Sequence, residues 1–174
     1  MKLSAKIKDC SLIVKVKTTA QEKIDEKEMD RFARVYLRCF LKPTDVGSSS
    51  AKYTGPMGIT LKERLEKEIT KREFLFIVEY IVTAVQKLSA NNFPLCNLEM
   101  DIQNIFINET TKEMQFLYVP LTGRQESSNI IKLLSSVVYL ARPAAENDTE
   151  YVSRFNYFLK SLKPFNINSV EQFV

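Results

Sequence analysis

A chain of 174 residues, 45% apolar and 26% charged, with four glycines and six prolines, has the size and composition of one globular domain and excludes disordered and fibrous classes. Its net charge of +4 is uneven: residues 1 to 73 hold 17 Lys/Arg against 11 Asp/Glu, and the remainder 8 against 10. With no histidine, and with Cys10, Cys39 and Cys96 far apart, Ser-His-Asp catalysis, Cys-His catalysis and the usual zinc ligand sets are excluded.

The three thiols are expected to be buried and reduced, in a cytoplasmic protein. MKLSAKIKDC lacks the apolar core of a signal peptide, and the most apolar run, FLFIVEYIVTAV, is too short for a membrane span and contains Glu79. Direct contact with a membrane is therefore not expected.

Ser11 to Val16 alternates and is β-branched, which predicts a strand. TTAQEK is a connector. Asp25, three residues before Glu28, caps a helix over about 26 to 37 whose apolar face is Met29, Phe32, Ala33 and Tyr36. TDVGSSSAK, 44 to 52, reads as a flexible polar loop, and YTGPMGI as a short strand with a turn. Neither GxGxxG nor GxxxxGK[ST] occurs there, so no phosphate loop is predicted.

TLKE and TKRE both match the Ser/Thr-x-x-Glu capping box. The first, Thr60 with Glu63, opens a short helix with Leu61, Leu65 and Ile69 inward. The second, Thr70 with Glu73, opens the longest helix, about 71 to 89, whose stripe is Phe74, Ile77, Val78, Ile81, Val85 and Leu88; Leu75, Phe76, Tyr80, Val82 and Ala84 make it apolar nearly all round and hence central. SANNFPLCN ends it. In 104 to 108 Ile105 and Ile107 point one way and Phe106 the other; in 114 to 119 Met114, Phe116 and Tyr118 alternate with Gln115, Leu117 and Val119. The turn NETTKE joins them into a hairpin, and LTGRQESSN is a loop. A helix over 128 to 142 presents Ile131, Leu134, Val138 and their neighbours, another over about 149 to 162 presents Tyr151, Val152, Phe155, Phe158, Leu159 and Leu162, and a short one begins after Asn168 or Ser169.

A small strand-containing part (1 to 70), then a buried helix, a hairpin (104 to 119) and terminal helices (71 to 174 in all) make a single α+β domain. The order resembles a reduced protein-kinase fold. Setting Asn104 on the last residue of H-R-D-L-x-x-x-N puts Asn97, Leu98 and Glu99 on His, Arg and Asp, and Tyr118, Val119 and Pro120 on D-F-G. Only Asn104 is unchanged. Phosphoryl transfer needs the metal-binding carboxylate of D-F-G, and a neutral phenol is a poor hard-cation ligand. Neither an enzyme nor a metal or other cofactor is expected. Glu99, Asp101 and Asn104 are the candidates for any remaining cation or nucleotide site, against the plainer reading of a solvated strand end.

Taken together, IDEKEMDRF, ITLKERLE, the run LCNLEMDIQNIFINETTKEMQFLYVPL and the terminal NSVEQF resemble a bacterial domain-of-unknown-function family found before forkhead-associated (FHA) modules. Ile105, Phe106, Phe116, Tyr118 and Pro120 stand at its matching places, over nearly the whole chain. A more distant similarity is to the cytoplasmic pseudokinase domain of type VII secretion. The resemblance implies a non-catalytic, pseudokinase-like interaction module of bacterial signalling, with a protein partner and an FHA domain in the same polypeptide. Two alternatives stay open: a degenerate nucleotide binder, and an anionic-surface binder working through the basic first half. The charges of that half interleave like solvated helix faces, and the aromatics fall at core spacings, so nucleic acid is not an expected partner.

Overall fold

The computed structural model describes residues 1–124 and 129–174. The chain opens with β1 (Lys2–Lys8) and β2 (Ser11–Lys17), joined at Asp9 and Cys10, both with positive φ (49° and 58°). Two successive residues in that region make the tight turn that suits the right-handed twist of an antiparallel hairpin. Helix α1 (Glu26–Arg34) follows, capped by the Asp25 carboxylate, which accepts from the Glu28 amide. Strands β3 (Lys42–Gly47) and β4 (Ser50–Pro56) complete an antiparallel sheet in the order β1-β2-β4-β3.

Next come β5 (Ile59–Thr60), α2 (Leu61–Leu65), β6 (Glu68–Ile69) and the long α3 (Lys71–Ala90). A short 3₁₀ turn at Leu95–Asn97 precedes β7 (Phe106–Ile107) and β8 (Met114–Gln115), with β5 pairing on β7. Then α4 (Ile130–Leu140), β9 (Arg142–Pro143), parallel to β6, α5 (Glu146–Ser161) and α6 (Ile167–Phe173) close the fold. The architecture is α+β. Among the described residues no helix is long and apolar enough to cross a membrane.

Two apolar clusters fill it. One lies under the sheet and gathers Leu12, Val14, Val16, Met29, Leu41 and Tyr53. The other surrounds α3, whose Phe74, Ile77, Val78, Ile81, Val85 and Leu88 are all buried as its stripe predicted, with Leu133, Val137, Phe155 and Val170 packed about it. The stretch 105 to 119 is shared between them by alternation. Phe106, Leu117 and Val119 enter the first cluster, whereas Ile105, Ile107, Met114, Phe116 and Tyr118 enter the second. Only two residues of each hairpin arm form a ladder, yet the period of two persists along the extended chain.

Several expectations are corrected. The stretch 44 to 52 is no loop: it forms most of β3 and the start of β4, turning at Ser48 and Ser49. Its serines hid a strand because only Pro43, Ala51 and Tyr53 need face the core. Helix α1 stops at Arg34, not 37, since the chain must leave it to reach Phe116, where Leu41 donates to the Phe116 carbonyl and Phe116 to that of Cys39. Ala33 and Tyr36 are consequently exposed rather than inward.

Strand β1 was not anticipated, being an edge strand whose residues are exposed except Leu3. In α4 the buried residues are Ile130, Leu133, Leu134 and Val137, with Ile131 exposed; a helix apolar on most sides does not declare which stripe will pack. Ser128, the expected start of that helix, and 125 to 128 of the expected loop lie outside the described residues. Helix α5 begins at Glu146 and α6 at Ile167, after an Asn166 cap. Of the thiols, Cys39 is buried, Cys96 half-buried and Cys10 exposed in the first turn.

Candidate functional site

The sheet meets the helical part at Tyr118. Its ring stacks on Phe32 of α1 (centroids 4.5 Å apart, planes 20°) and meets Phe93 edge-on at 5.4 Å. The hydroxyl donates to Glu28 Oε1 at 2.9 Å and accepts from Asn97 Nδ2 at 3.3 Å. Tyr53, from β4, donates its hydroxyl to the Tyr118 carbonyl at 2.8 Å. Asn97 also takes the Val119 amide on its carbonyl (2.8 Å) and the Leu121 amide on Oδ1 (3.4 Å). Glu28 is held in turn by Arg31, which lies 4.3 Å over the Phe93 ring.

This network is closed: each named polar atom has a partner. Burial pushes the Tyr118 phenol above its ordinary value; the Asn97 bond opposes this and the Glu28 carboxylate adds to it. Tyr53 is raised by burial and then by Tyr118. Both phenols are therefore neutral donors, and Tyr118 occupies the junction as a structural pin.

The three sequence candidates lie beyond the 3₁₀ turn, and their side chains are used or placed separately. Glu99 Oε1 accepts the Asp101 amide at 3.1 Å, and Asp101 Oδ1 accepts the Gln103 amide at 2.9 Å. Both carboxylates thus shape their own turn. The Asn104 amide donates to the Asp101 carbonyl at 2.8 Å. Glu99 and Asp101 share the wall of a hollow of about 410 Å³ with Arg124, Lys132 and Ser136, and Asn104 is not on that wall. Among the described residues no three Asp, Glu or Cys side chains stand together as a metal site would require.

A groove opens on another side, where the linker between α1 and β3 crosses the hairpin. Arg38 forms an ion pair with Glu113, and Gln115 Nε2 donates to the Arg38 carbonyl at 3.1 Å. Hollows of about 330 and 490 Å³ flank this bridge, floored by Phe40, Leu41 and Met114 and rimmed by Arg34 and Tyr36. Tyr36 is 88% exposed.

Reading the sequence missed Glu28, Asn97 and Tyr53 as partners of Tyr118. Glu28 had the guise of a cap residue, and nothing local links positions 28, 53, 97 and 118. Compared with protein-family models the sequence matches none, and it matches none of the curated proteins.

Proposed function

We propose that this chain is a non-catalytic protein-interaction module, pseudokinase-like in build, that works beside an FHA domain in bacterial signalling. The order of its elements supports the reading: strands, a helix carrying Glu28, two more strands, a buried helix, then Asn104 directly before a hairpin. In the alignment that sets Asn104 on the kinase asparagine, Tyr118 would replace the metal-binding carboxylate, and its neutral hydroxyl donates to Glu28.

One observation carries the proposal. Leu12, Val14, Val16 and Tyr53 under the sheet close directly on Phe106, Leu117 and Val119 of the hairpin, all 3% exposed or less. In a kinase-like arrangement a nucleotide would enter between these two layers, and here that space is apolar core. A triphosphate would have to part buried side chains worth roughly 1.5–3 kcal/mol each. Binding falls instead to an outer surface, and the groove around Arg38 and Glu113, with Tyr36 on its rim, offers apolar floor and polar edge as an interface does.

A thermal-shift titration with ATP and Mg²⁺ tests this. No change in melting temperature is expected. A rise that disappears in Asn104→Ala would overturn the proposal in favour of a degenerate nucleotide binder. For the partner, a forkhead-associated segment of the same reading frame added in trans should release heat on binding, and Tyr36→Ser should weaken it; heat unchanged by Tyr36→Ser removes the groove from the reading.

A further inference from the structure

Strand register sorts the first 56 residues onto two faces. Because Leu12, Val14 and Val16 point inward, their ladder partners Ile7, Ala5 and Leu3 on β1, and Gly55, Tyr53 and Ala51 on β4, share that face. The alternate residues form the outer face: Lys2, Lys6 and Lys8 on β1, Lys15 and Lys17 on β2, Lys52 on β4 and Lys42 on β3. Asp45, opposite Lys52, is the one acidic residue among them. Seven lysines and one aspartate put +6 on this face of a chain whose net charge is +4, which leaves −2 for all the rest.

Among the described residues, none of Lys2, Lys6, Lys15, Lys17, Lys42 and Lys52 has a carboxylate within 4.0 Å, and Lys8 reaches only Asp9 in the adjoining turn, at that limit. Off this face three lysines are engaged: Lys67 with Glu109, Lys112 with Glu73, and Lys71 over the Tyr151 ring. Register also sets like charges face to face, Lys2 against Lys17 and Lys15 against Lys52, an arrangement that destabilises a sheet. Lysine on an edge strand is a common guard against strand addition, which accounts for β1. It does not account for Lys15, Lys17 and Lys52, which lie on the two central strands.

We infer that the outer face of the sheet docks on the anionic headgroups of a phospholipid bilayer. The patch is broad, about 15 Å across four strands and about 20 Å along them. It carries no aromatic residue for stacking on bases and no arginine for bidentate phosphate contacts, the features nucleic-acid binding relies on. Evenly spaced ammonium groups on flexible stems suit a flat, diffuse negative surface. The charge balance of +6 against −2 orients the molecule, sheet down, before contact. This inference does not depend on the proposed interaction with a protein.

Co-sedimentation of the chain with phosphatidylcholine vesicles containing about one-third phosphatidylglycerol is the test. Binding is expected at about 0.05 M salt, with loss at about 0.5 M. Lys15→Gln/Lys17→Gln/Lys52→Gln should weaken partition about 100-fold, from roughly a factor of five per lysine near such a surface. If that triple variant unfolds by circular dichroism, Lys2→Gln/Lys6→Gln/Lys8→Gln, on exposed edge positions, makes the same comparison. Arg154→Gln/Lys160→Gln/Lys163→Gln, removing equal charge elsewhere, should bind nearly as wild type. Equal binding to pure phosphatidylcholine, no binding at low salt, equal weakening by the control triple, or binding to a DNA duplex but not to vesicles would each overturn the inference.

Discussion

At the scale of the residue, Tyr118 joins the two clusters through one ring, one hydroxyl and one carbonyl. Burial holds the Tyr118 and Tyr53 phenols above their ordinary value, so the folded chain keeps them neutral after the unfolded chain begins to ionise. The stability they contribute is whole below about pH 10, the unfolded phenol's value, and declines as pH rises through it toward the folded values. Urea midpoints taken from neutral to alkaline pH should therefore fall above about pH 10. In Tyr53→Phe the fall should be shallower, from a neutral-pH stability about 1–2 kcal/mol lower because the Tyr118 carbonyl loses its donor. An alkaline slope equal to wild type would sink this account. That Tyr118 faces the core was legible from the alternation of 114 to 119; that it bonds Glu28 and Asn97 was not, because those partners are 90 and 21 residues away.

Among the elements, α2, β6, α3 and the hairpin tip are tied by one buried ion pair. Arg64 grips Glu73 with two bonds, 2.7 and 2.6 Å, and its other donors reach the Glu68 carbonyl at 3.2 and 3.1 Å. Lys112 adds a contact to Glu73 at 3.2 Å. Thr60 and Glu63 form the full reciprocal capping box that the sequence pattern predicted. Thr70 accepts the Glu73 amide, but the Glu73 side chain turns to Arg64 instead, so the second box is half made.

Breaking the pair with Glu73→Gln should destabilise by about 3–5 kcal/mol, since it strands a buried guanidinium. Lys112→Gln, one-third exposed, should cost less than about 1 kcal/mol. Chemical denaturation of both variants checks the contrast, and similar losses would refute it. Local signals found these helices; a capping motif could not say that its glutamate had a stronger partner nine residues back.

For the whole molecule, the alternation of 105 to 119 makes the sheet and the helices share one extended strip of chain. Unfolding should be a single transition in which the far-ultraviolet helix signal and the near-ultraviolet tyrosine signal vanish together. Leu117→Ala, which empties a fully buried position of the sheet-side cluster, should lower stability by about 2–5 kcal/mol and leave the two signals coincident. Separate transitions for sheet and helices would show the strip does not couple them. The two proposed surfaces lie apart from this shared strip: a protein partner is proposed at the Tyr36 groove and a lipid surface at the outer lysines.

What the sequence by itself determined was local. Caps at Asp25, Thr60 and Thr70, the apolar stripe of α3 and the period of two around Phe106 and Tyr118 depend on neighbours within a turn or two of chain, and they folded as read except for the Glu73 half of the second capping box. Tertiary structure alone decided the rest. Polar 44 to 52 became strands because β2 offered a ladder, α1 ended early because Phe116 claimed Leu41, and α4 buried the stripe that its neighbours could receive. Strand register, set across the sheet, also gathered lysines scattered over 51 positions of sequence onto one face. Such choices rest on contacts between distant segments, whose energy no short window of residues contains.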